Sequence, residues 1–262
     1  MARLLEGRAV LVTGGGGEIG GAIASRFARE GASILVADLR PQAAEAVAAA
    51  IRANGGIAEA FVADMGCPED CARAVEAAAA AFGKLTTLVN VAAAESPEAS
   101  IEALPLAAWN TALAVNLTAS FLTAKHAVPH MRAAGGGSII NIASQLGQIG
   151  VFNRVAYSTT KAALIQLTKC IATEYGPDNI RANTISPGSI STARSAKSYG
   201  SIENARRVRG PAHLLGRQGR VEEIAAGAVF LASEESSFMT GADLLLDGGY
   251  LAFKGELPVK SK

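Results

Sequence analysis

Apolar residues recur along the chain in two alternating rhythms. Short, largely apolar runs lie at 8–13 (RAVLVT), 33–37 (SILVA), 57–62, 85–90, 138–143 (SIINIA) and 180–185. Between them, apolar positions return with the helical period at 19–30, 41–54, 68–82, along a long stretch ending near residue 132, and at 155–175. Pro41 and the alanine-rich body after it suit the opening of a helix. Continuous apolar strands predict a sheet covered on both faces, and a helix after each strand requires parallel pairing with right-handed crossovers. The predicted architecture is α/β: a single Rossmann-like, doubly wound parallel sheet with helices on both faces.

Past the sixth strand the rhythm weakens. Residues 191–210 (STARSAKSYGSIENARRVRG) are polar, carry arginines and exceed an ordinary connection, which predicts a partly helical lid. A helix at 221–233 and a strand at 243–246 close the pattern. One catalytic domain is expected over 1–253, followed by a polar tail at 254–262 that is frayed or in subunit contact.

Composition narrows the partners. Half of the residues are hydrophobic but only 5% are aromatic, which suits thin helices packed closely on a parallel sheet. The formal charge of +1, without a basic stripe, points away from nucleic acid and anionic membranes and towards a small molecule. Cys67, Cys71 and Cys170 form no framework and lack matching histidines, so no metal is expected. His126, His130 and His213 are placed for packing or an interface rather than as a catalytic cluster. The opening lacks a secretory pattern and no apolar stretch is long enough to span a bilayer, so a cytoplasmic protein is expected.

Candidate chemistry clusters at strand ends. The first strand runs into Thr13-Gly14-Gly15-Gly16-Gly17-Glu18-Ile19-Gly20, where a tight turn lets backbone N–H groups approach a pyrophosphate at a helix N-terminus. Asp38 ends the second strand, where a carboxylate accepts bonds from the adenosine ribose hydroxyls and repels a 2′-phosphate; this favours NAD over NADP despite nearby Arg40. Tyr157 and Lys161 stand one turn apart on a predicted helix, so Lys161 is expected to lower the Tyr157 pKa and ready the phenol for proton transfer. Ser144 ends the 138–143 strand on the edge where open parallel sheets bind ligands.

Taken in order, these residues resemble the short-chain dehydrogenase/reductase family over about residues 7–250. The markers are the Thr-Gly-rich loop, Asp64, Asn90, Asn116, Ser144, Tyr157 with Lys161, the NTISPG stretch at 183–188, and Asp247-Gly248-Gly249. The resemblance implies that Tyr157 exchanges a proton with the substrate oxygen, which Ser144 positions. Lys161 would hold the nicotinamide ribose, and Asn116 would support a water leading from Lys161 to solvent. Further cofactor contacts are implied for Gly14, Gly17, Glu18, Ile19, Gly20, Asp38 and Leu39, for Asp64 and Met65 at the adenine, and for Asn90 and Ala92 near the adenosine ribose. Pro187, Gly188, Ile190 and Thr192 would serve the carboxamide. Gln145 and Phe152 would join Ser144 and Tyr157 against the substrate, and the chain would be a homotetramer.

Two departures stand out. Glu18 replaces a glycine usual in the family loop, where its carboxylate would repel pyrophosphate unless directed outward, and Ala93 replaces another. Gly17 is expected to supply the missing flexibility one residue earlier. The expected activity is hydride transfer between NAD and a secondary alcohol or ketone. Its rivals are an NADP-dependent reductase of the 3-oxoacyl-carrier-protein type, opposed by Asp38, and a catalytically silent nucleotide-binding scaffold, opposed by the joint presence of Asn116, Ser144, Tyr157 and Lys161.

Overall fold

The computed structural model describes residues 3–253, so the tail at 254–262 lies outside the described residues. Seven parallel strands form one sheet: β1 (Ala9–Thr13), β2 (Ser33–Asp38), β3 (Ile57–Val62), β4 (Thr87–Asn90), β5 (Gly137–Ile142), β6 (Ile180–Pro187) and β7 (Asp243–Leu246). Their order is β3-β2-β1-β4-β5-β6-β7, with the topological reversal between β1 and β4. Helices α1 (Glu18–Arg29) and α2 (Pro41–Ala53) join α9 (Val221–Ala232) on one face. The other face is covered by α3 (Pro68–Phe82), α5 (Ala119–Ala133) and α6 (Val155–Tyr175). Inner strands such as β1 and β5 are buried at every position, as continuous apolar runs require. The edge strands depart from that expectation: β3 alternates, leaving Ile57 and Val62 exposed, and β7 is only half buried.

Local sequence explains most boundaries. Pro41 and Pro68 open α2 and α3 at the first turn, where a missing N–H costs nothing. Gly83, at φ +70°, ends α3 in the left-handed conformation. The long helical stretch ending near 132 is in fact α4 (Leu106–Leu113), a π-helical turn (Ala114–Thr118) and α5. The predicted lid contains two short helices, α7 (Ala193–Tyr199) and α8 (Ile202–Arg209).

A buried chain of side-chain hydrogen bonds fastens the second face to the sheet. Thr123 on α5 donates to Asn90 at the end of β4 (2.9 Å), Asn90 donates to Asn141 on β5 (2.9 Å), and Asn141 donates to Thr168 on α6 (2.8 Å). Each amide uses both its oxygen and its nitrogen, so no buried dipole along this path is wasted. Asn141→Ala would orphan groups on both neighbours and is expected to destabilise the fold by about 2–4 kcal/mol. Denaturant titration checks this, and a change below about 1 kcal/mol would show the chain to be dispensable.

Candidate active site

The reversal between β1 and β4 opens a cleft at the carboxyl edge of the sheet, where divergent crossovers leave room for a ligand. The glycine loop lies on one side. Gly14 takes φ +63°, and a Cβ there would stand 2.8 Å from the Ala92 Cα. A Cβ on Gly20 would collide with the Gly14 carbonyl oxygen. The cradle is thus built by backbone approach, and the first-turn amides of α1 have no side-chain cap. Thr13 anchors the opposite wall, its hydroxyl accepting the Val91 amide at 3.2 Å and approaching that of Ala92 at 3.4 Å. A bare cradle headed by uncapped helix amides fits the pyrophosphate of a dinucleotide.

Gly17 does not supply the expected flexibility. It sits at φ −80°, ψ 167°, a conformation open to any residue. Glu18 has a different solution: its carboxylate accepts the backbone N–H of Ala193 at 2.7 Å, so its charge is committed to the first residue of α7. Ala93 is not among the residues with positive φ, so the second departure carries no backbone strain. Ile19 packs against the core of the first face.

Asp38 is buried at the end of β2. One carboxylate oxygen accepts the Gly16 amide (3.0 Å), while the other accepts the Arg40 amide (3.0 Å) and guanidinium (3.2 Å). It therefore braces the glycine loop, and its carboxylate retains the further acceptor capacity that the expected ribose contact requires. Leu39 beside it is exposed. Asp64 closes a turn by accepting the Gly66 amide at 2.8 Å, and Met65 is buried. Asn90, expected beside the adenosine ribose, spends its side chain in the buried chain to Thr123 and Asn141. Pro187 ends β6, the Gly188 amide donates to the Leu246 carbonyl (2.9 Å), Ile190 is buried, and Thr192 caps α7 by accepting the Ser195 amide (3.3 Å).

Asn116, Ser144, Tyr157 and Lys161 converge from three elements. Asn116 lies on the π-helical turn, a distortion frequent at functional sites. Its oxygen accepts the Ala94 amide (2.8 Å) and its nitrogen donates to Thr160 (3.3 Å), tying the loop after β4 to the α6 turn between Tyr157 and Lys161. Lys161 is buried, donates to the Ile142 carbonyl (2.7 Å) and stands 5.7 Å from the centre of the Tyr157 ring. Gln145 is buried with its amide oxygen unpartnered, whereas Phe152 is 96% exposed and stands clear of these residues' packing.

Electrostatics differ from the simple Tyr–Lys pairing expected. Burial pushes the Tyr157 phenol above its ordinary value, against the opposing effects of a hydrogen bond with Ser144 and the fields of Arg194 and Arg154. Lys161 is not the group that offsets that burial. Desolvation, followed by repulsion from Arg194, pushes Lys161 itself down to about 8. The phenol is protonated at neutral pH, and the lysine sits within about a unit of losing its charge.

Sequence reasoning passed over the clamp on the 187–192 segment. His213, buried, accepts the Ser189 amide at Nε2 (3.1 Å) while its Nδ1 faces the Arg209 carbonyl (2.9 Å). Gln218 donates to Ser189 and Ser195 (2.8 and 3.1 Å), and Ile190 forms an isolated bridge with Gly219. No spacing rule announces such a clamp, because its partners lie in irregular backbone.

The chain matches the family model described as Enoyl-(Acyl carrier protein) reductase over residues 16–251. It is 40% identical to 2,5-dichloro-2,5-cyclohexadiene-1,4-diol dehydrogenase of Sphingobium indicum, covering 95% of this chain and 98% of that one. Its fold superposes with a TM-score of 0.89 on a chain from Burkholderia xenovorans assigned to the short-chain dehydrogenases/reductases, at 35% identity, covering 96% and 99% of the two chains. A 7α-hydroxysteroid dehydrogenase solved with NADH and 7-oxo glycochenodeoxycholic acid superposes at 0.88, with 32% identity over 95% of this chain and 96% of that one. Among the described residues, no helix is long and apolar enough to cross a membrane.

Two outcomes follow from the site. The unfolded chain holds the Lys161 proton up to the ordinary lysine value of 10.5, whereas the folded one releases it near 8, so stability rises with pH between those values. Below that window the buried ammonium costs on the order of 3 kcal/mol. Lys161→Met is therefore expected to be the more stable protein near neutrality, less whatever the hydrogen bond to Ile142 contributed. Its advantage should shrink as pH climbs through the window, as urea melts at a series of pH values would read. Glu18→Ala is expected to speed hydrogen exchange at the Ala193 amide by about threefold to tenfold, the worth of one net hydrogen bond; an unchanged rate would show that Glu18 does not hold α7.

Proposed function

The chain belongs to the short-chain dehydrogenase/reductase family, and on that premise we propose that it is an NAD-dependent oxidoreductase moving a hydride between nicotinamide and a secondary alcohol or its ketone, with Tyr157 as general acid and base. The observation that carries the proposal is the convergence of Ser144, Tyr157 and Lys161 at the carboxyl edge of β5, across the cleft from a glycine loop with no room for a side chain at Gly14, Gly15, Gly16 or Gly20. Two of the relatives point the same way, one named a dehydrogenase of a cyclohexadiene diol and the other of a 7α-hydroxysteroid.

NAD would supply the hydride acceptor, with Gly14 to Gly20 along its pyrophosphate, Asp38 at the ribose hydroxyls, and the segment from Pro187 to Thr192 at its carboxamide. In oxidation, the Ser144 hydroxyl would hold the substrate oxygen and Tyr157, as phenolate, would take its proton as the carbinol hydride passes to bound NAD. In reduction, the same phenol returns the proton to the forming alkoxide. The raised Tyr157 pKa keeps the phenol protonated at neutral pH, which favours the reductive direction until positive charge accumulates beside it. Arg194 and Arg154 supply part of that charge, while Lys161, at about 8, stands 5.7 Å from the centre of the phenol ring. The choice of NAD over NADP rests on Asp38, whose buried carboxylate would face a 2′-phosphate with like charge while holding the Arg40 guanidinium.

A paired assay with NAD and NADP against secondary alcohols tests both parts. Strong preference for NAD, relaxed in Asp38→Ser, is expected; preference for NADP would overturn the cofactor assignment. Tyr157→Phe should lose about a hundredfold or more in kcat while still binding NAD. Undiminished turnover would remove Tyr157 from the chemistry.

A further inference from the structure

Two arginines border the reacting groups, one on the lid and one at the start of α6. Arg194 is the second residue of α7, and Arg154 immediately precedes α6, three residues before Tyr157. Each is paired with a glutamate of the loop after β4: Arg194 with Glu95 (3.1 Å) and Arg154 with Glu98. In both pairs the glutamate is the more exposed partner, at 66% against 58% and 61% against 36%. Both guanidiniums favour the Tyr157 phenolate and Arg194 also disfavours a charged Lys161, whereas neither glutamate acts on either group. Both ion pairs thus join the loop after β4, whose Ala94 amide is held by Asn116, to segments bordering the reacting groups.

From this arrangement, and resting on the dehydrogenase reading above, we infer that the substrate is a secondary alcohol bearing a carboxylate, which Arg194 binds in exchange for Glu95 while Arg154 supports it. The exchange is like for like. A planar guanidinium takes a carboxylate through paired hydrogen bonds, and the resident glutamate shows that a carboxylate reaches Arg194, through its Nε at 3.1 Å. Exposed ion pairs contribute little, so releasing Glu95 to solvent sacrifices little. The charge of the wider lid agrees: residues 191–210 hold five basic side chains and the single acid Glu203, in a chain whose net charge is only +1. A positive approach bordering a cleft concentrates small anions.

The test compares hydroxy carboxylates, linear and cyclic, with their primary carboxamides as substrates for the full-length enzyme with NAD, in wild type, Arg194→Gln and Arg194→Lys. The readout is the ratio of kcat/KM for acid over amide, in which general effects on Tyr157 and Lys161 cancel. A ratio of about tenfold or more in wild type, falling towards unity in Arg194→Gln and partly restored in Arg194→Lys, is expected for a charge-assisted contact. Addition of salt should lower the wild-type ratio. Calorimetric titration with NAD alone supplies the control, and its Kd should change little. Amides and other neutral alcohols oxidised as well as the acids would overturn the inference and leave the dehydrogenase reading standing. An unmoved ratio with weakened NAD binding in Arg194→Gln would assign the arginine to the cofactor and overturn it too. If no secondary alcohol of either kind reduces NAD, the inference and the reading fall together.

Discussion

The hydrogen-bonded chain from Thr123 through Asn90 and Asn141 to Thr168 is the constraint on which the site depends. It crosses the sheet beneath the cleft and joins α5, β4, β5 and α6. Asn116 lies just upstream of α5, Ser144 just beyond β5, and Tyr157 and Lys161 on α6. Apolar packing between alanine-rich helices and the sheet tolerates small slips, whereas a fully satisfied buried polar path admits one register. The two asparagines are paired in the β4–β5 ladder, which holds the side-chain bond in step with the backbone pairing. A shift of one residue would break both together.

Above that foundation the site works against its own burial. The fold takes Lys161 out of water and gives it one backbone acceptor, and it takes the Tyr157 phenol into surroundings that disfavour phenolate. Burying the lysine costs stability and brings it towards the pH range in which protons move readily, whereas burying the phenol carries it further from that range. Ser144, Arg194 and Arg154 then pull the phenol back down. Two of those three lie outside the Ser–Tyr–Lys set, and one belongs to the lid. Titration of Tyr157 and Lys161 is therefore linked to what the lid residues hold, because moving the Arg194 guanidinium changes the field on both groups.

Much of this was legible in the sequence. Continuous apolar runs at 8–13 and 138–143 can be only inner strands once helices separate them, and Asp38, Ser144 and the Tyr157–Lys161 pair fall at the strand ends and helix spacing that their chemistry requires. Contacts that join segments distant in sequence were not legible. Asn90 reads as a strand-end residue and is claimed by Asn141, 51 positions away; Glu18 reads as a hazard to pyrophosphate and is claimed by Ala193, 175 positions away. The π-helical turn at Asn116 is likewise invisible to a periodicity count, since five residues barely disturb a pattern read over a long helix. The sign of the Tyr157 shift was missed because spacing reports proximity to Lys161 and says nothing about desolvation.

Glu18 and Glu95 together give the lid its particular character. One carboxylate holds the first amide of α7 and the other holds the guanidinium of the next residue, so the start of this helix is gripped from the glycine loop and from the loop after β4. The Glu18 bond is to backbone and needs no particular side chain on α7. The Glu95 bond is to a flexible, exposed arginine that can turn to another carboxylate without moving the helix. Position and selectivity of the lid thus rest on separate contacts. That separation lets Arg194 change partners while Thr192 stays where its hydroxyl caps α7, so on the proposed reading recognition of a substrate leaves the segment proposed to meet the nicotinamide in place.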